Sequence, residues 1–181
     1  MINGAELTTD RYGNVNSAYE FDGKAIIDIP NHLKIKNLSK FTVSLWFNAD
    51  SIRSFMYILS NEVEFRLING DLRFRYVLDG NTDVDQSFHK TSFNSGIKRW
   101  NHLCFVYDST FKQSVYVNGI NISTKKEQKN FYWLYPYLTI GGAKYYYNLG
   151  FFDKCFIGKI DEIRIYNRTL LQDEIKYLSE N

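Results

Sequence analysis

Apolar and polar residues alternate with a period of two through most of this chain, and the alternation stops at short clusters of Gly, Asn, Asp or Pro. The clearest stretch is 41–48, where Phe41, Val43, Leu45 and Phe47 share one face and Thr42, Ser44, Trp46 and Asn48 the other. Bulk on both faces predicts a strand in the middle of a sandwich. Further strands are predicted over 19–21, 25–29, 55–60, 63–68, 72–78, 100–108, 114–117 and 138–140. The breaks between them are turn pairs, Asp22-Gly23, Asn69-Gly70, Asn118-Gly119 and Gly141-Gly142, with Pro30 ending the run that starts at Ala25. Asn-Gly between two alternating runs specifies a tight hairpin, because both residues accept positive φ.

The pattern changes near the C-terminus. Over 156–166, Ile160, Ile163 and Ile165 alternate with charged neighbours but slip by one residue at Asp161-Glu162, which predicts a β-bulge. Asn167-Arg168-Thr169 breaks the strand, and Leu170, Leu171, Glu174, Ile175 and Leu178 then recur at helical spacing. Strands linked by turns, with one short amphipathic helix at the end, predict an antiparallel sandwich rather than βαβ units.

Composition adds limits. A length of 181 residues fits one all-β domain with a substantial core, and the 14 Tyr, 14 Phe and 3 Trp favour pleated packing. A net charge of +2 gives no basis for nucleic-acid binding, which needs clustered Lys and Arg. The nearest approach, Lys125-Lys126-Glu127-Gln128-Lys129, is read as a solvated loop. No apolar run is long enough to insert in a membrane, and the N-terminus lacks the basic and apolar regions of a secretory signal. The chain is therefore expected to be either cytosolic or a domain excised from a longer secreted protein. Cys104 and Cys155 each lie in an apolar run and are read as buried thiols, with a disulfide between them left open. Asn-x-Ser/Thr sequons at Asn37, Asn121 and Asn167 say nothing about compartment by themselves.

Several segments taken in order resemble the laminin G-like branch of the concanavalin A-like jelly rolls, the lectin/glucanase superfamily. Tyr19-Glu20-Phe21-Asp22-Gly23 with Ile27-Asp28-Ile29-Pro30 is similar to that family's opening, and Phe41-Thr42-Val43-Ser44-Leu45-Trp46-Phe47 to its F-T-[IV]-S-x-W strand. Trp100-Asn101-His102-Leu103 before Val106-Tyr107-Asp108 resembles W-x-H-[VL]-x-x-x-Y-D, and Val115-Tyr116-Val117-Asn118-Gly119 the strand after it. Gly158-Lys159-Ile160-Asp161-Glu162-Ile163-Arg164-Ile165-Tyr166-Asn167-Arg168 resembles the closing strand. The resemblance implies an all-β, antiparallel jelly-roll β-sandwich with a short C-terminal helix, a single domain over 1–181, and an extracellular or cell-surface setting. Relatives usually begin one strand upstream of the segment holding Leu7 to Arg11, so a trimmed or truncated member is expected.

Three function classes remain. Glycanases of this fold set carboxylates at alternate positions along one strand, and Glu62-Val63-Glu64 is the close glutamate pair here; it lacks a third carboxylate. Asp161 and Glu162 are sequence neighbours that alternation sends to opposite faces unless the bulge redirects one, and are read as structural, and His32, His89 and His102 are dispersed. His102 is read as a partly buried hydrogen-bonding residue, and a non-catalytic role is expected. The resemblance implies one structural calcium ion joining the Asp22-Gly23 turn to Asp161, with a carbonyl from Gly23 and side-chain oxygen from Asp161. Asp79-Gly80-Asn81-Thr82-Asp83-Val84-Asp85 spaces oxygens as a calcium loop does, but Val84 stands where the EF-hand needs glycine, so it is read as an exposed acidic hairpin loop.

The expected function is ligand binding by aromatic loops. Sugar sites combine a stacking ring with polar side chains, and aromatic residues are densest over 132–137 and 144–152. The residues expected to bind are Trp133, Tyr145, Tyr146, Tyr147, Asn148 and Phe151, on loops at the sandwich rim. Carbohydrate is the favoured ligand; the alternative is a surface protein held by the same rings.

Overall fold

A computed structural model of the chain describes residues 1–30, 38–60, 63–78, 82–92, 97–126 and 137–181, without the side chains of 77–78, 82–92 and 137. Among these residues lie two antiparallel seven-stranded sheets. From edge to edge, the first sheet runs β1 (Ile2–Asn3), β4 (Ile26–Pro30), β13 (Tyr137–Ile140), β6 (Met56–Ser60), β7 (Val63–Ile68), β8 (Asp71–Leu78) and β9 (Thr82–Ser92). The second runs β12 (Ile120–Lys126), β11 (Lys112–Val117), β10 (Asn101–Tyr107), β5 (Phe41–Ala49), β14 (Ile157–Tyr166), β3 (Ala18–Asp22) and β2 (Glu6–Thr8). The long crossovers from β4 to β5 and from β12 to β13 carry the chain between sheets, as in the jelly-roll sandwich the alternation predicts.

The inward faces meet in one aromatic core. Phe65 and Phe74 of the first sheet, Phe41, Phe47 and Phe105 of the second, and Phe156 just before β14 are fully buried. Phe74 stacks on Phe105 across the sandwich, with centroids 4.4 Å apart and planes 29° from parallel. The Tyr76 hydroxyl, buried between the sheets, donates to Gln113 Oε1 at 3.0 Å, so its polar end is satisfied.

The second sheet's outer face is covered by α2 (Gln172–Glu180), which lays Ile175 and Leu178 on Cys104, Val106 and Tyr166. Its start is fixed by Glu174, whose carboxylate accepts from the Leu171 N–H at 2.8 Å and pairs with Arg168 at 2.7 Å. This is half of a capping box, since Leu171 has no side-chain acceptor to return the bond. The predicted bulge is present: the β14–β5 register shifts between Asp161 and Arg164, with Glu162 at φ 47°. Both Asn-Gly pairs turn hairpins, β7 to β8 and β11 to β12. Cys104 and Cys155 are buried free thiols, and burial pushes the Cys155 thiol up to about 11.

Four expectations change. Residues 82–85 of the acidic stretch are not a loop but the start of β9, because the hydrogen-bonding edge of β8 extends the strand past Val84 and Asp85. Lys125 and Lys126 lie in edge strand β12, exposed, opposite Gln113 and Lys112. Pro30 is the last residue of β4 rather than a residue outside it. Strands β1 and β2 form where the sequence predicts none, each pairing with one neighbour at a sheet edge.

Candidate ligand-binding site

The Gly141-Gly142 turn carries the chain from β13 onto the outer face of the first sheet, where α1 (Lys144–Asn148) and a 3-10 turn (Phe152–Lys154) follow. The Gly141 N–H donates to Ile58 at 2.9 Å, and a parallel bridge joins Cys155 to Tyr57. This segment is therefore held against β6 at both ends. An ion pair between Lys144 and Asp28 anchors the first residue of α1 to β4.

The three consecutive tyrosines thus sit on a helix rather than in a rim loop, and they point different ways. Tyr146 stacks on Tyr57 of β6, with centroids 6.1 Å apart and planes at 26°. Tyr145 meets Tyr146 edge-on at 5.3 Å and is 65% exposed. Tyr147 packs edge-on against Phe152 at 5.2 Å. Asn148, Leu149, Phe151 and Phe152 are exposed around them. Trp133 lies outside the described residues, so the structure does not place it beside this group.

Five residues that the sequence reading did not single out complete the site. Phe55 packs on Tyr57 at 4.9 Å, and the Lys154 ammonium sits 3.5 Å from the Tyr146 ring centroid and 5.7 Å from that of Phe55. On β7 and β8, Glu64 accepts from Arg75 at 2.9 Å and faces Arg66 at 3.5 Å, while the Arg66 guanidinium lies 5.7 Å from the Phe55 ring. Burial, reinforced by the Glu64 charge, pushes the Tyr57 hydroxyl well above the usual phenol range, so it remains a hydrogen-bond donor. The arrangement is one exposed ring on a stacked aromatic base, bordered by cations and one carboxylate. It can take the flat apolar face of a ring and offer hydrogen bonds at its edge.

The catalytic candidates are arranged differently. Glu62 lies outside the described residues, and the Glu64 carboxylate is held by two arginines. Asp28, the buried carboxylate on the same sheet, is three strands from Glu64, roughly 14 Å of backbone at the usual strand spacing. Asp161 and Glu162 flank the Arg11 guanidinium at 3.7 and 3.3 Å. His102 is fully buried, 2.8 Å from the Ser44 hydroxyl through Nε2.

The calcium set does not come together. Ile157 stands opposite Asp22 and Ile160 opposite Tyr19, so Asp161 lies beyond Tyr19, roughly 13 Å along the strand from Asp22. The Gly23 carbonyl accepts from the Arg53 guanidinium at 3.3 Å, and Asp22 Oδ1 accepts from the Lys24 N–H at 2.7 Å. Asp22 instead lines a cleft with Glu6, Glu20 and Asp50. Among the described residues no group of three or more His, Cys, Asp or Glu could hold a metal ion. The three residues named from the resemblance therefore do not fit one ion.

Residues 21–176 match the family described as the concanavalin A-like lectin/glucanases superfamily. The chain belongs to this superfamily. The match runs from within β3 to within α2, so it takes in both sheets and the aromatic segment. Among solved structures, this superfamily member is similar to the receptor-binding domain of botulinum neurotoxin C/D mosaic serotype, with TM-score 0.74 and 12% identity over 99% of this chain and 45% of that one. It is also similar to the serotype D ligand-binding domain in complex with N-acetylneuraminic acid, at TM-score 0.73 and 12% identity, again over 99% and 45%. A heptameric SAP-like pentraxin from Limulus polyphemus follows at TM-score 0.58 and 16% identity, over 78% of this chain and 70% of the pentraxin. The chain spans less than half of the toxin domains, and at these identities the likeness is one of fold. No curated protein matches the chain.

Proposed function

We propose that the chain is a non-catalytic binding module for carbohydrate, with its site at Tyr145, Tyr146, Tyr57, Phe55 and Lys154. The observation that carries this reading is the mostly exposed Tyr145 ring, set edge-on to Tyr146, which is itself stacked on Tyr57 next to the Glu64, Arg66 and Arg75 network. A ring held by other rings loses little freedom on binding, and polar groups at its border supply direction. Membership in a lectin-containing superfamily and the likeness to a domain found in complex with a sialic acid support the reading. An extracellular or cell-surface setting, within a larger secreted protein, is part of the same proposal.

A glycan-array screen of the folded protein tests it. Reproducible binding to a related set of glycans is expected, and Tyr145→Ala should weaken it roughly tenfold, the worth of one aromatic contact, while leaving the melting temperature unchanged because Tyr145 is exposed. Tyr146→Ala should weaken binding and also lower stability by about 1–2 kcal/mol, since its ring packs on Tyr57. Equal binding by wild type and Tyr145→Ala would remove the site from this segment. Binding should also survive a chelator, because Asp22, Gly23 and Asp161 do not converge.

A second reading has its own observation. Leu149, Phe151 and Phe152 are 55, 54 and 37% exposed beside the same helix, an apolar patch suited to a surface protein. A silent array from folded protein would move the assignment to that patch.

A further inference from the structure

We propose that Arg66 and Arg73 form an oxyanion subsite on the outer face of the first sheet, and that the glycan bound beside it carries an acidic group, a carboxylate or a sulfate ester. The first half stands alone; the second rests on the carbohydrate reading above.

Arg66 and Arg73 are direct cross-strand partners in β7 and β8, so their side chains leave the same face of the sheet from adjacent positions. Like charges set directly opposite each other destabilise a sheet. The neighbouring carboxylate answers only Arg66 of this pair. Glu64 is opposite Arg75, bonds it at 2.9 Å and reaches Arg66 at 3.5 Å. Arg73 is in no ion pair among the described residues, and its Nε is buried without a hydrogen-bond partner. The row in register across four strands is Tyr57, Arg66, Arg73 and Ser87, with no acidic position in it. Asp85 falls in the next row, opposite Arg75.

An oxyanion between the two guanidiniums would neutralise the Arg73 charge and satisfy its buried N–H. Guanidinium groups bind carboxylate and sulfate oxygens through paired, charge-assisted hydrogen bonds, about twice the strength of neutral ones. The subsite also adjoins the aromatic group. Tyr57, whose hydroxyl stays protonated, is next to Arg66 in register, and Lys154 adds a cation over Tyr146 and Phe55. A sugar ring against Tyr145 and Tyr146 would carry its acidic substituent toward this row.

The test compares wild type with Arg73→Gln, a residue only half-buried, so that its loss opens no hole in the core. Wild-type protein should show a saturable rise in melting temperature with sodium sulfate beyond that given by sodium chloride at equal ionic strength. Arg73→Gln should lack that extra rise, and should melt higher than wild type without sulfate because one of two facing charges is gone. On an array holding uronate, sialylated and sulfated glycans beside neutral counterparts, wild type should prefer acidic members at least tenfold, and Arg73→Gln should lose the preference. An equal sulfate response in both proteins overturns the subsite. A sulfate response confined to wild type with a silent array upholds the subsite and overturns the glycan. Neutral glycans bound equally by both proteins, without sulfate response, uphold the aromatic site and overturn the subsite.

Discussion

Gly158→Ala is expected to abolish the fold, or to cost at least about 4 kcal/mol in urea denaturation, which is a large part of the stability of an ordinary domain. Gly158 lies in β14, between Phe21 of β3 and Ala49 of β5. A Cβ added there would meet the Asn48 carbonyl oxygen at 2.1 Å and the Ala49 Cα at 2.9 Å. Both are backbone atoms of a strand buried in the second sheet, so no rotamer change relieves the contact. Its φ of 135° adds strain for any residue with a side chain. Gly13→Ala separates the two effects. Gly13 also has positive φ, 87°, but nothing stands within 4 Å of an added Cβ. It should cost only about 1 kcal/mol, the backbone share. A Gly158→Ala protein melting within a few degrees of wild type would mean that β5 and β14 are not packed this closely.

The same strand explains which parts of the fold could be read from sequence. Pattern reading works where burial is set by adjacent positions along the chain. β5 has bulk on both faces and is buried along most of its length. The slip at Asp161-Glu162 became a bulge because Ile160 and Ile165 both had to face the core. The Ile175–Leu178 spacing became a helix because Cys104, Val106 and Tyr166 offer it an apolar surface. Pattern reading fails at edges. β9 has only Val84 and Phe88 among Thr, Asp, Gln, Ser, His and Lys, too few for an alternating signal, and its extended form comes mainly from the hydrogen-bonding groups of β8. β2 and β12 are likewise short or exposed and owe their conformation to one neighbour.

The site divides along the same line. Tyr145, Tyr146 and Tyr147 stood out by local density, although alternation could not reveal that they form a helical turn clamped onto β6. Phe55, Tyr57 and Lys154 come from two distant stretches, which the Tyr57–Cys155 bridge and the Arg53–Phe152 hydrogen bond bring to one place. Glu64, Arg66, Arg73 and Arg75 did leave a sequence signal: charges two residues apart inside otherwise apolar strands, which share one face by strand geometry. Their mutual register, which sets Arg66 against Arg73 and Glu64 against Arg75, follows from the Asn69-Gly70 hairpin. The Asp22, Gly23 and Asp161 set failed because motif likeness carries no register, and β3 and β14 pair with those residues well apart.

Acid is expected to destabilise the domain well above the range where carboxylates titrate, through His102. Burial, with help from the Arg11 and Arg164 charges, lowers its pKa from 6.5 to about 4. The neutral ring is suited to its place: Nε2 meets the Ser44 hydroxyl at 2.8 Å, the ring packs on Trp46 with centroids 5.3 Å apart, and Nδ1 has no hydrogen-bond partner. Protonation would leave a buried N–H donor without an acceptor. Because the folded pKa is the lower one, the unfolded chain binds more protons between pH 6.5 and 4, and stability falls as pH falls through that window. The loss should reach about 2 kcal/mol at pH 5. Glu174 acts in a different window, since Arg168 lowers its carboxyl from 4.5 to about 2 and its contribution disappears only below pH 4.5. Urea denaturation at pH 7, 6 and 5 should therefore fall steeply for wild type and be nearly flat for His102→Gln; parallel curves would take the effect away from this residue. Trp46, against the His102 ring, donates from Nε1 to the Leu178 carbonyl of α2 at 3.2 Å, so acid should loosen the outer face of the second sheet first. The aromatic site lies on the other sheet. Ligand binding should thus persist to pH 5 for as long as the protein remains folded, and fail only together with the fold.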